Sequence, residues 1–368
     1  MISIFNFLRG IACFLVVMTH TVTHQLNYYL NMDAYTFHCF RNIFGVCGMS
    51  FFFFITGFLI PLSLDKLDEQ NGTGVASYKF LIRRAFRLLP VLTFCVMVCI
   101  FVNCFTGVDY YKKLYQTPYL ILVNALKTLF AVDFIDVNHF KFPMIDVAWS
   151  LAVEYKFYFI AALAWLCFKD ARSRLYGMLA FLGILFALVA NTKHEYFYLY
   201  SNVSLIYVCL VGALTYFYYF NKISQKEFLI VLISLLAVIY HAQGSYLCGN
   251  KIYVCGTLMT TICVLKFSNF GKHKIFKFFA DISYSMYLLH ALVFIWIKKY
   301  SFLTPTFTKM SSPEKILVEF GIYFMLLPIC YLIYRFIEKP FIKIGYKLTG
   351  GGKDGGKIKQ LDNKTRNF

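Results

Sequence analysis

Arg9 and His20 stand eleven residues apart in LRGIACFLVVMTH, within an apolar stretch that starts directly after the arginine. On a helix, eleven steps of about 100° return nearly to the same face, and eleven rises of about 1.5 Å separate the pair by roughly 16 Å. With Arg9 at a membrane boundary, His20 falls near mid-membrane, a depth at which ionisable side chains face an interior cavity. There His20 reads either as a general base, because imidazole titrates near neutrality, or as a packing histidine hydrogen-bonded between helices. His24, one turn on, completes an HxxxH pair. No third ligand or carboxylate base accompanies it, and no metal site is expected.

Arg84 and Arg87 in FLIRRAFRLLP are three apart and share a helix face at the entry of an apolar run. Two guanidinium forks so placed make a phosphate clamp. The alternative, arginines that merely flank a membrane span, fits Arg83 better than it fits the pair. In DVAWSLAVEYKFYF, Glu154 lies inside an apolar helix with Trp149 and Ser150 about a turn before it. A carboxylate buried there needs a partner, for which a histidine or a substrate hydroxyl would serve. Lys156, two positions on, faces elsewhere. GMSFFFFITGFLI sets Gly48, Ser50, Thr56 and Gly57 among bulky residues, the pattern of close helix contact in membranes. His290, at the end of DISYSMYLLH, is accounted for by interior hydrogen bonding. In YRFIEKPF, Arg335, Glu338 and Lys339 read as an interfacial charge set, with Pro340 expected to stop the helix.

The elements that must position these residues follow from composition. Of the 368 residues 60% are hydrophobic and 20% aromatic, only 15% are charged, and the mean hydropathy is +0.63. Soluble domains carry nearer a quarter charged residues, and apolar runs of about 20 residues, enough to cross a bilayer core, recur along the chain. The expected fold is an all-α polytopic membrane protein of about ten transmembrane helices, over 7–27, 43–63, 88–106, 148–168, 175–191, 202–220, 227–241, 252–267, 279–297 and 316–338. The first segment has no small-residue cleavage pattern behind it and is expected to stay as a span. The net charge of +18 does not point to nucleic acid, because the lysines and arginines sit in short clusters between apolar runs. These clusters are Lys79/Arg83/Arg84/Arg87, Lys169/Arg172/Arg174, Lys222/Lys226, Lys266/Lys272/Lys274/Lys277 and the tail after Lys339. They all fall on one side, with both termini cytoplasmic, only if the apolar segment 117–132 does not cross; it is expected to be re-entrant. Residues 1–345 then form one membrane domain and 346–368 a disordered basic cytoplasmic tail resting on anionic headgroups. Twelve cysteines without CxxC spacing predict no disulfide framework, with a bridge among Cys39, Cys47 and Cys248 left open.

Six stretches in order, LRGIA with the Arg9-x10-His20 spacing, FFFFITGFLI, IRRAFRLLP, WSLAVEYKFY, ISYSMYLLH and RFIEKP, resemble the membrane acyltransferase-3 family. They cover residues 8 to 341. The resemblance implies an O-acetyltransferase of cell-surface carbohydrate in a bacterial-type inner membrane. Such an enzyme takes an acyl group, most often acetyl, from cytoplasmic acyl-CoA and delivers it to a hydroxyl of a surface or lipid-linked glycan. By position His20 corresponds to the family's essential histidine and Arg9 to its paired arginine. Arg84 and Arg87, beside Arg83, fall on the pair associated with acetyl-CoA, and Trp149, Ser150 and Glu154 on the WSL-x-VE motif. Thr56 stands where serine is more usual, and Tyr155 and Lys156 replace the commoner Glu-Gln. The expected chemistry has His20 take the hydroxyl proton while Glu154 orients it; a transient acyl-histidine is the other route. His290 and Thr56 are supporting candidates. The expected partners are acyl-CoA, a carbohydrate acceptor and membrane lipid. The competing class is a multi-span transporter or flippase of a lipid-linked glycan, which would also carry an intramembrane histidine and carboxylate.

Overall fold

The computed structural model describes residues 3–21, 30–106, 117–130, 144–190, 197–242, 249–299 and 304–350. All regular structure among them is helical. The long helices are α1 (Ile4–His20), α2 (Ala34–Asn71), α3 (Thr73–Thr106), α5 (Trp149–Cys167), α6 (Ala171–Ala190), α7 (Phe197–Tyr219), α8 (Gln225–Ala242), α9 (Gly249–Lys266), α10 (Lys274–Lys299) and α12 (Ser312–Ile333). Short α4 (Pro118–Phe130) and α11 (Thr304–Lys309) lie between them, and α13 (Lys339–Leu348) ends the described chain. To within a residue or two, the described part of each segment read as a span lies on one of the long helices or, at 334–338, on the turn that follows α12; residues 22–27 of the first lie outside the described residues. Among the described residues seven stretches are long and apolar enough to cross a membrane: α2, α3, α5, α6, α7, α8 and the continuous run from α12 through α13. The protein is therefore an integral, all-α membrane protein. Of the segment 117–132, the described residues hold the 13-residue α4, packed on α3, and residues 131–132 lie outside them.

Helix α2 is the axis of the molecule, in contact with α1, α3, α5, α7 and α9. Within lipid, helices associate by close packing and polar contacts rather than by exclusion of water, so small residues decide where backbones meet. Gly57 and Gly212 supply that meeting. A Cβ on Gly57 would stand 1.9 Å from the Cys209 carbonyl oxygen, and one on Gly212 2.1 Å from that of Phe54. Gly48 likewise faces the Ala12 carbonyl on α1, at 2.8 Å from an added Cβ. The small residues of GMSFFFFITGFLI thus do pack helices closely, and Thr56 beside them is left to point elsewhere.

At one end of the bundle α2 outruns the apolar zone and carries Asp65 and Asp68 into a polar cluster. Asp65 accepts from Trp165 Nε1 at 3.0 Å and Arg174 Nη1 at 3.0 Å, and also from the Tyr216 hydroxyl and Lys222 Nζ. Arg174 in addition holds Asp68 and donates to the Phe168 carbonyl at 3.0 Å. Arg174 and Lys222, read from sequence as loop charges, are instead members of a mostly buried ion network joining α2, α5, α6 and the end of α7.

A second departure lies after α12. Pro340 does not stop the helix, because a π turn over Tyr334–Glu338 precedes it and α13 continues to Leu348. Lys339 N–H donates to the Tyr334 carbonyl, an i to i−5 bond. This wider turn sets the proline ring at the first turn of a new helical segment, where its missing donor costs nothing. Thr349 closes the segment on the Gly345 carbonyl at 2.9 Å. Residues 351–368 of the expected tail lie outside the described residues, as do His24 and Cys248. Among the described residues Cys47 is a free thiol.

Candidate functional site

Helices α1, α2, α3, α5 and α10 enclose a cavity of about 80 Å³. Arg9 enters it from α1, Thr56 from α2, and Arg84 and Arg87 from α3. Ser150, Glu154 and Tyr158 enter from α5, and Tyr284 and Tyr287 from α10. Residues nearly 280 positions apart in sequence thus share one space because α2 holds α1, α3 and α5 around itself.

Glu154 is held at both oxygens. Thr56 Oγ1 donates to Oε1 at 3.1 Å, and the Tyr158 hydroxyl, one turn along α5, donates to Oε2 at 2.6 Å. Threonine at position 56 thus keeps the hydroxyl that serine would supply to this bond. Arg84 lies over the rings of Phe80 and Tyr158, at 5.2 Å and 5.6 Å. Arg9 has Arg87, Arg84, Glu154 and Glu338 as its charged neighbours. Among the described residues none of Arg9, Arg84 and Arg87 forms a salt bridge. Three guanidiniums thus line a cavity with one lining carboxylate, Glu154, and with Glu338 as a further charged neighbour they remain in excess.

Glu338 is the residue that sequence reasoning misplaced. It is 3% exposed, its Oε2 has no hydrogen-bond partner, and its charged neighbours are Arg87 and Arg9. The π turn rotates it inward, away from the interface where the charge pattern had set it. Tyr158 was also missed, although its position four residues after Glu154 on one helix face was a usable signal.

Arg83 leaves the site. Its Nε donates to Thr349 Oγ1 at 2.8 Å and its guanidinium stacks over Tyr346 at 4.4 Å, so it fastens α13 to α3. Trp149 packs against Phe53 with ring centroids 6.3 Å apart. The Tyr287 hydroxyl donates to the Val147 carbonyl at 2.7 Å and accepts from the Ser150 hydroxyl at 2.9 Å. Tyr284 donates to the Leu88 carbonyl at 2.9 Å and ties α10 to α3.

His20 is elsewhere. It ends α1 and is exposed, rather than enclosed mid-helix as the longer span 7–27 had implied. Glu154, whose bonds go to Thr56 and Tyr158, is not its orienting partner, which corrects the triad expected from sequence. The imidazole that meets His20 belongs to His290 on α10, with ring centroids 5.4 Å apart. His290 is fully buried, with Nδ1 3.1 Å from the Met286 carbonyl. A carbonyl only accepts, so Nδ1 carries the proton and Nε2 keeps its lone pair. That Nε2 is buried without a partner.

A family model described as an acyltransferase domain matches residues 2–335. No match is found among curated proteins. None is found among solved structures.

Proposed function

The chain belongs to the acyltransferase-3 family, and from that premise we propose that it moves an acyl group, most often acetyl, from acyl-CoA to a hydroxyl of a cell-surface or lipid-linked carbohydrate. The membrane is a bacterial-type cytoplasmic membrane, with both termini and the donor on the cytoplasmic side. The observation that carries this reading is the trio of arginines without salt bridges around one cavity. Guanidiniums enclosed in that way are matched by an anion, and phosphate groups suit their forked donors. Arg84 and Arg87 hold the donor's phosphates, Arg9 completes the cationic wall, and Glu154 and Glu338 offset part of its charge.

His20, roughly 16 Å along α1 from Arg9, is the base. It takes the acceptor's hydroxyl proton as the oxygen attacks the thioester carbonyl, and the tetrahedral intermediate collapses with loss of the thiolate. The thiolate recovers the proton from the imidazolium, so an alcohol and a thioester become an ester and a thiol. His290 acts on His20 through its Nε2 lone pair. With the two rings 5.4 Å apart, that lone pair stands ready to accept the N–H of the imidazolium formed as His20 takes the proton. Thr56 and Ser150 support Glu154 and the α5–α10 contact.

Purified protein in liposomes, supplied with acyl-labelled acetyl-CoA and a lipid-linked glycan, tests the reading. Label transferred to glycan with equimolar release of free CoA supports it. Glycan movement across the bilayer without consumption of acetyl-CoA would establish the transporter class instead.

A further inference from the structure

Outside the cavity, a groove of about 410 Å³ runs along the π turn and α13, lined by Arg335, Lys339 and Lys343 together with Tyr331 and Tyr334. The three cations are spaced four and four, which sets them in one row along the helix, where like charges repel. Among the described residues none of them forms a salt bridge. The carboxylates nearby are engaged elsewhere. Asp281 pairs with Lys277 at 2.9 Å and accepts from the Tyr334 hydroxyl rather than from the three cations, and Glu338 faces inward to Arg87 and Arg9. A row of three uncompensated cations in a concave surface is built for an anion.

The surroundings say where that anion comes from. Leu332, Phe336, Phe341, Ile344 and Leu348 are all exposed on the same stretch of chain. In a membrane protein such residues face acyl chains, so the cations beside them stand at headgroup level. The tyrosines add amphipathic rings suited to that level. We propose that this groove is a binding site for the phosphate of an anionic phospholipid, with Arg335, Lys339 and Lys343 on the phosphate and the flanking apolar side chains along the lipid tails. The site is independent of acyl transfer and stands or falls separately from it.

The test is native mass spectrometry of the purified full chain released from mixed micelles of phosphatidylglycerol and phosphatidylcholine. The wild type is expected to retain phosphatidylglycerol in preference to phosphatidylcholine. Each basic residue near such a surface contributes appreciably to attraction, so the combined Arg335→Gln/Lys339→Gln/Lys343→Gln variant should lose about tenfold or more of that retention. Lys226→Gln, at an exposed lysine on α8, should lose none. Equal retention by wild type and triple variant, or an equal loss in Lys226→Gln, would overturn the site. Displacement of phosphatidylglycerol by soluble coenzyme A would overturn the lipid as occupant and assign the groove to a soluble phosphate donor. The triple variant's thermal unfolding in phosphatidylcholine should match the wild type; if it unfolds earlier, the Lys339→Gln/Lys343→Gln pair replaces it under the same criteria.

Discussion

At the scale of single residues, the arginines of IRRAFRLLP separate by what they touch. Arg84 and Arg87 line the cavity, whereas Arg83 is spent on Thr349 and Tyr346. Charge-assisted hydrogen bonds contribute about 1.5–3 kcal/mol each, so Arg84→Ala should raise KM for acyl-CoA by about tenfold to a hundredfold. Arg83→Ala should leave it unchanged. Steady-state kinetics on the two variants checks both statements, and an equal rise in the two would remove the phosphate role from this face. The His20–His290 pair is tested by a different split. His290→Leu should lower kcat by about tenfold or more, within the range that general-base catalysis supplies, with KM for acyl-CoA unaltered. His290→Gln, whose amide oxygen can accept in place of Nε2, should recover part of the loss. Equal losses in both variants would make His290 a packing residue only. The Arg84/Arg87 pair was legible because one face of α3 encodes it, and Arg9 and Glu154 because each is a charge set in or beside an apolar run. Glu338 was not, since a π turn before a proline leaves no mark in hydrophobic periodicity.

At the scale of elements, most helices were legible and their ends were not. The apolar runs marked the helices, yet α2 begins near residue 34 and ends near 71, well beyond the 43–63 read from hydropathy. The excess is polar or mixed in character, so a hydrophobic window cannot see it. The small residues that pack α2 against α7 give a contrast that mutation can read. Gly57→Ala would drive a Cβ onto the Cys209 backbone, while at Gly183 on α6 nothing lies within 4 Å. Overpacking costs about 1–3 kcal/mol and sometimes more; alanine gains up to about 1 kcal/mol over glycine inside a helix. Thermal unfolding in detergent should therefore fall for Gly57→Ala and hold or rise for Gly183→Ala. A Gly57→Ala protein as stable as the wild type would refute the backbone contact.

At the scale of the whole molecule, the Asp65 cluster fastens the ends of four helices and was invisible in sequence. Trp165 lies 100 residues from Asp65 and Lys222 157 residues from it, too far apart for any local pattern to join them. Removing one partner of a buried ion pair costs about 3–5 kcal/mol. Asp65→Ala should lower stability by that order and reduce the amount of protein found in the membrane, as chemical denaturation and quantitative blotting would report. The same fastening keeps α5, and with it Glu154, in register with α2, so the site depends on a network at the far end of its own helix.

The central claim is that this chain acylates a surface carbohydrate with His20 as base. Mass spectrometry of the surface polysaccharide, from cells carrying the wild type or His20→Ala at equal membrane abundance, tests it most directly. The expected result is an acyl mass increment that the wild type adds and His20→Ala does not. An increment retained in His20→Ala, or absent with the wild type, would contradict it.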